Sequence, residues 1–150
     1  MEKLYQEIKN TVVAAGKIIL QAKDLHLQVK SGNQNFVTQY DVEVENYLIN
    51  HLLQLLPQAD ILAEESSLTS NLTSDYVFII DPIDGTTNFI HHINHSAISV
   101  ALAYKKELLF GIIHNPYVDE TFYAGKNQGV FLNNYPITVS KRSLDRKSVV

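Results

Sequence analysis

Apolar residues recur at helical spacing along the start of the chain: Leu4, Ile8, Val12, Ala15, Ile19 and Ala22, with Glu, Lys and Gln between them. That period predicts a long amphipathic helix. Gly16 falls inside it, where a glycine often marks close packing. The stretch LQVKSGNQNFVTQYD then carries a turn signal, Ser31-Gly32-Asn33, between two short extended pieces, the pattern of a hairpin. A second helix follows, because Val44, Tyr47, Leu48, Leu52 and Leu55 fall on one face. Asp41 is placed to cap it, and Pro57 stands after its end.

Beyond Pro57 the pattern changes to short apolar runs. ADILAEES ends in two acids and YVFIID in one. AISVALAY and ELLFGIIHN flank Lys105-Lys106 as a hairpin, and TFYAG and GVFLN surround a Gly-Lys-Asn-Gln-Gly turn. Two helices followed by a run of strands predict an α+β domain, with the helices packed on a mostly antiparallel sheet. The last residues, SVV at 148–150, read as the start of a buried strand with no polar tail. The expectation is that the chain stops before its fold does.

Composition narrows the class. With 150 residues the chain suits one domain with a sizeable core, and 45% apolar against 19% charged residues describes a globular protein. No stretch approaches the ~20 apolar residues of a membrane span, so no membrane partner is expected. The N-terminal MEKLYQEIKN lacks the apolar centre of a signal peptide, which makes the cytoplasm the expected address. The chain has no cysteine, which excludes disulfides, thiolate metal sites and a cysteine nucleophile. A net charge of −4 argues against nucleic acid. The basic cluster from Lys141 to Lys147 is interrupted by Asp145 and reads as solvated surface.

Candidate chemistry concentrates in IIDPIDGTTNFIHH, residues 79–92. Acids arrive at three apparent strand ends or turns: Glu64-Glu65, Asp81 and Asp84. Pro82 fixes φ and Gly85 permits a sharp turn, so Asp84 folds back toward Asp81. Adjacent strands would bring Glu64 beside them. Such a turn offers two carboxylates and one backbone carbonyl, the hard oxygen ligands that select Mg²⁺, Mn²⁺ or Ca²⁺. If Thr86 opens a short helix, the amides of Gly85 to Thr87 form a phosphate seat. Divalent cations beside such a seat describe phosphoester hydrolysis.

Blander readings exist for each piece alone. Glu64-Glu65 could be an exposed strand end, and Asp-Pro-Ile-Asp-Gly an ordinary turn. Jointly, with an apolar strand before each acid, the functional reading prevails. A phosphatase of the Asp-x-Asp nucleophile type is out of register, since these acids are three apart. His91, His92 and His95 read as surface or supporting histidines rather than zinc ligands. Lys30 is either a cation that steadies the acids or phosphate, or a plain surface lysine.

DPIDGTTNF, with EES upstream, resembles the inositol monophosphatase family of magnesium-dependent, lithium-sensitive phosphatases. VKSGNQNFVTQYD and FGIIHNPYVDETFYAGKNQGVFLN are similar to further stretches of that family. The resemblance implies the N-terminal α+β part of a layered αβαβα phosphatase. It also implies that Glu64, Asp81 and the Ile83 carbonyl hold a first Mg²⁺ ion, with Asp81 and Asp84 sharing a second. Glu64 would help hold a weaker third, with Glu65 in support. Thr86, oriented by Asp41, would position the attacking water with Glu64, and Gly85 and Thr86 would seat the phosphate. The implied substrate is a small phosphate ester, foremost myo-inositol monophosphate, and the implied assembly a homodimer. Phosphatases of sugar bisphosphates or of adenosine 3′,5′-bisphosphate are the enzymatic alternative. A non-catalytic metal- and phosphate-binding fragment is the other. Ala63 stands where the family commonly has glycine. The family's second motif, Trp-Asp-x-Ala-Ala-Gly, has no counterpart in a chain without tryptophan. Its C-terminal domain is therefore expected to be missing here, which places the second metal's remaining acid and most of a polyol pocket outside the chain.

Overall fold

The computed structural model describes residues 1–23, 27–29, 36–66 and 72–140. Helix α1 spans Glu2–Leu20, and its buried stripe is Tyr5, Ile8, Val12, Ala15, Gly16 and Ile19. Tyr5 rather than Leu4 begins that stripe, and Ala22 lies beyond the helix end. Strands β1 (Leu27–Val29) and β2 (Phe36–Thr38) pair antiparallel as the expected hairpin. The turn proposed at Ser31-Gly32-Asn33 lies outside the described residues.

Helix α2, Gln39–Leu55, starts earlier than the sequence pattern suggested. Its N-cap is Thr38, not Asp41. Asp41 occupies the third helical position and completes a capping box. Seven further strands form one sheet in chain order: β3 (Asp60–Ala63), β4 (Tyr76–Asp84), β5 (Ala97–Tyr104), β6 (Glu107–Asn115), β7 (Glu120–Gly125), β8 (Gly129–Leu132) and β9 (Tyr135–Ile137). Only β3 and β4 run parallel; every other neighbouring pair is antiparallel. A five-residue helix, α3 (Thr86–Ile90), follows β4.

Two tight turns in this sheet depart from the usual turn composition. Lys105 and Lys106, with φ of 50° and 68°, take the left-handed conformations of a two-residue hairpin turn that asparagine and glycine normally fill. Asn133-Asn134 does the same before β9, a strand the alternation of apolar residues did not announce. Pro136 is tolerated there because β9 is an edge strand.

Both long helices cover one face of the sheet, α2 over β4 and α1 over β5 and β6. Ile8, Val12, Val44, Leu48 and Leu52 pack against Phe78, Ile80, Ile98, Leu102 and Ile112, all fully buried or nearly so. Gly16 lets α1 approach β6: a methyl group there would stand 2.8 Å from His114 Nε2 and 3.0 Å from Pro116 Cβ. The other face carries Ile79, Ile113, Phe122 and Val130, each more than a third exposed. Among the described residues no helix is long and apolar enough to cross a membrane. The strand proposed at 148–150 and the basic cluster at 141–147 lie outside the described residues.

Candidate metal and phosphate site

Parallel pairing sets the position of the first acids. Ala63 pairs with Ile80, and the Glu64 amide donates to the Ile80 carbonyl at 3.2 Å, so Glu64 leaves β3 beside Asp81. Asp81 and Asp84 are brought together by a β-bulge. Along β5 their partners are Ser99 and Ala97, two residues apart, whereas the acids themselves are three apart. Residues three apart in a regular strand point to opposite faces; the one extra residue corrects that and puts both acids on one face. Pro82 and the buried Ile83 occupy the bulge.

The Asp81 carboxyl is pushed up from 3.8 to about 7. Burial is the largest cause, followed by the charges of Glu64 and Asp84 and a hydrogen bond with Glu64. Asp81 Oδ1 is buried and makes no hydrogen bond. Glu64 and Asp84 are exposed. Among the described residues, no three histidines and acids stand close enough to hold one ion together. The acids instead form a file, Glu64–Asp81–Asp84, with Asp81 answering to both neighbours.

Asp41 approaches from the start of α2 and is buried to 1% exposure. Its Oδ2 accepts from the Thr38 amide at 2.7 Å and the Thr38 hydroxyl at 2.6 Å. Burial pushes its carboxyl up, against the lowering effect of those hydrogen bonds and of one from Thr86. The Thr86 hydroxyl lies 3.0 Å from the Ile83 carbonyl oxygen and 3.4 Å from Asp41 Oδ1. Its single proton serves the shorter contact, so Asp41 reaches Thr86 only weakly. The Ile83 carbonyl keeps a second lone pair.

Gly85 has φ of 91°, a conformation that favours glycine. A methyl group there would also press to 3.2 Å from the His95 carbonyl oxygen. The Gly85 carbonyl accepts from the Phe89 amide at 3.0 Å and thereby closes the first turn of α3. Thr86 is half-buried and Thr87 exposed at the head of that turn. A cavity of about 330 Å³ opens beside Asp84 and Gly85, with Asn88, His95, Asn115 and Glu120 among its walls. His91, His92 and His95 are all exposed. Lys30 lies outside the described residues.

One residue escaped the sequence reading. Glu45, buried to 3% exposure, sits one helical turn after Asp41 on the inner face of α2. Its Oε2 accepts from the Glu65 amide at 2.8 Å and so holds the segment that carries Glu64 and Glu65. The signal was a charged residue inside the apolar stripe, adjacent to Val44 and three residues before Leu48.

A sequence model of the inositol monophosphatase family matches residues 1–150. The chain belongs to that family. Inositol monophosphatase 3 of Solanum lycopersicum is 37% identical over 134 residues, covering 86% of this chain and 50% of the relative. A Thermotoga maritima protein named fructose-1,6-bisphosphatase/inositol-1-monophosphatase is 34% identical over 118 residues, covering 79% and 45%. The solved Thermotoga maritima IMPase superposes with a TM-score of 0.82 at 31% identity, covering 94% of this chain and 55% of that one. This inositol monophosphatase family chain thus spans about half the length of the relatives it matches, and its sheet and helices form part of the family fold.

Proposed function

We propose that the chain forms the metal- and phosphate-binding half of a Mg²⁺-dependent phosphatase for small phosphate monoesters, with myo-inositol monophosphate as first substrate. The observation that carries this reading is Asp81: a half-buried carboxyl with one oxygen that is buried and unpartnered, flanked by two further acids. The donor set fits the ion, because carboxylates and a backbone carbonyl are hard oxygen ligands. Glu64, Asp81 and the Ile83 carbonyl would hold one Mg²⁺, Asp81 and Asp84 a second, and Glu64 would contribute to a third, with Mn²⁺ or Ca²⁺ able to substitute. Rotation of the exposed Glu64 and Asp84 side chains about the fixed Asp81 would complete the set. The chemistry that bound Mg²⁺ supplies is charge neutralisation at the phosphoryl oxygens and acidification of the attacking water.

The chain's own groups do the rest. The amides of Gly85, Thr86 and Thr87 offer donors to a phosphate at the turn after Asp84. The Thr86 hydroxyl, set by the Ile83 carbonyl and by Asp41, orients the water together with Glu64. Glu45 fixes the Glu65 backbone, so the Glu64–Glu65 segment keeps its aim. Asn115 and Glu120, in the cavity beside Asp84, suit the hydroxyls of a polyol leaving group. The bisphosphatase name of the Thermotoga relative supports sugar bisphosphates as alternative substrates, with adenosine 3′,5′-bisphosphate a further one. The whole protein would be a homodimer.

The test compares phosphate release by the 150-residue chain with that by Asp81→Asn, using inositol 1-phosphate, fructose 1,6-bisphosphate and adenosine 3′,5′-bisphosphate with Mg²⁺. Mg²⁺-dependent turnover that the substitution abolishes would support the catalytic reading, with inositol 1-phosphate expected to be the fastest of the three substrates. The half-length match to relatives favours a second reading, a non-catalytic metal- and phosphate-binding unit. Equal rates for both proteins, with Mg²⁺ binding retained in the unsubstituted chain, would select it.

A further inference from the structure

On the helix-bearing face, two to four strands across the sheet from β4, a cavity of about 420 Å³ opens between the first turns of α1 and strands β6, β7 and β8. Its wall is a file of four aromatic rings. Tyr5 and Phe110 stack with centroids 4.7 Å apart and planes at 13°, and Tyr123 and Phe131 stack at 5.2 Å and 14°. Phe110 and Tyr123, 6.3 Å apart, join the two pairs. The volume suits one small ring system.

Polar groups at the cavity define what that ring must carry. Lys9 is already engaged: its ammonium lies 4.7 Å from the Tyr123 ring centre and donates to Asn134 Oδ1 at 2.7 Å. The Tyr123 hydroxyl donates to the same oxygen at 3.0 Å. The Gln6 amide nitrogen donates to Asn10, which leaves its oxygen free to accept. Glu2 and the Gln128 side chain, also lining the cavity, have no hydrogen-bond or ion-pair partner among the described residues. Gln128 owes its position to Gly125, where any side chain would meet the Gln128 Oε1 at 2.4 Å. The uncommitted groups are therefore mostly acceptors: a carboxylate and two amide oxygens beside an aromatic wall.

We propose that this cavity binds a planar heterocycle bearing an exocyclic amine, of the aminopurine or aminopyrimidine kind. The rings supply a sequence of apolar surfaces against which a flat ligand lies. Glu2 and Gln6 accept from the amine, and Gln128, both donor and acceptor, reads the ring edge. The site is separate from the acids: Asp81 and Asp84 pair with Ser99 and Ala97, on the sheet face that the helices leave open.

The experiment titrates the ¹⁵N-labelled 150-residue chain with adenosine, cytidine and uridine, none of which carries a phosphate. Adenosine and cytidine should shift amides of α1's first turns and of β6 to β8, saturating below about 10 mM. Uridine, which lacks the amine, should bind several-fold more weakly. Phe131→Ala, on a half-exposed strand position, should weaken adenosine binding by about tenfold, and Gln128→Ala gives a second variant that leaves the rings in place. Glu2→Gln should narrow the gap between adenosine and uridine, whereas Asp81→Asn should leave all three unchanged. No saturation by about 10 mM, equal affinity for uridine, or affinity untouched by both Phe131→Ala and Gln128→Ala would overturn the proposal. Loss of binding in Asp81→Asn would overturn it too, since the ligand would then occupy the acidic site.

Discussion

Thr38 and Asp41 are bound to each other three ways: the Asp41 Oδ2 accepts from the Thr38 amide and hydroxyl, and the Thr38 Oγ accepts from the Asp41 amide at 3.3 Å. The same carboxylate turns its other oxygen toward Thr86. One residue thus fixes the start of α2 and touches the turn after β4. Thr38→Ala should cost about 1 kcal/mol of stability, the ordinary value of a lost N-cap. Asp41→Ala should cost more, because it leaves the buried Thr38 amide and hydroxyl unsatisfied. Urea unfolding of the two variants, compared with the unsubstituted chain, checks the order.

Asp81 ties stability and metal binding to pH. Its carboxyl titrates at about 7 in the fold against 3.8 when unperturbed. Between those values the folded metal-free chain holds the extra proton, so its stability falls as pH rises from about 4 to about 7 on this account. Mg²⁺ needs the deprotonated form, so its affinity should climb over the same interval and level off above it. Calorimetry in two buffers of different ionisation enthalpy should show about one proton released per site at pH 6 and almost none at pH 8.

Glu45 acts through the backbone it holds. Glu45→Gln keeps an oxygen for the Glu65 amide but loses the charge, whereas Glu45→Ala frees the segment. Mg²⁺ affinity should drop about tenfold or more in Glu45→Ala, the usual cost of losing a group that orients a ligand, and less in Glu45→Gln. An unchanged affinity in Glu45→Ala would confine Glu45 to a packing role.

Gly16→Ala should destabilise the chain by about 1–2 kcal/mol, although alanine is the better helix former. The added methyl group would meet the His114 ring, which is buried and bonded to Thr121 Oγ1 at 2.9 Å, and cannot retreat cheaply. A higher melting temperature in this variant would show that α1 can lift away from β6.

His114 should resist protonation. Burial pushes its imidazole below the ordinary 6.5, against the charge of Asp119 and a hydrogen bond with the Glu120 backbone. As pH falls below 6.5 the unfolded chain takes up this proton and the fold does not, so His114 subtracts stability until its folded value is passed. Its ring proton resonance, followed by NMR, should therefore titrate on the acid side of 6.5.

Much of this architecture is local in the sequence. The end of β4 with its two acids, the proline and glycine that punctuate it, and the short helix at Thr86 are all written within fourteen consecutive residues, 79–92. The sheet order follows from strands that join their chain neighbours, so the alternating runs sufficed for β5 to β8. Harder to read were features whose physics is not periodic. Asp41 looked like the cap because it precedes the apolar stripe, but Thr38 has the extended backbone that a cap requires. Glu45 resembled any helix glutamate until its partner, the Glu65 amide, came from twenty residues away. The aromatic file was invisible for the same reason: Tyr5, Phe110, Tyr123 and Phe131 belong to four different elements.

The extra residue between Asp81 and Asp84 makes spacing itself a heritable property of this chain. Substituting Pro82 or Ile83 would alter how snugly the kink fits, yet would leave both acids looking the same way. Deleting either would do something of another kind: every residue from Asp84 to the head of α3 would swap sides, like a zipper re-engaged one tooth out. Variation at these two positions can therefore run through many side chains, but not through length.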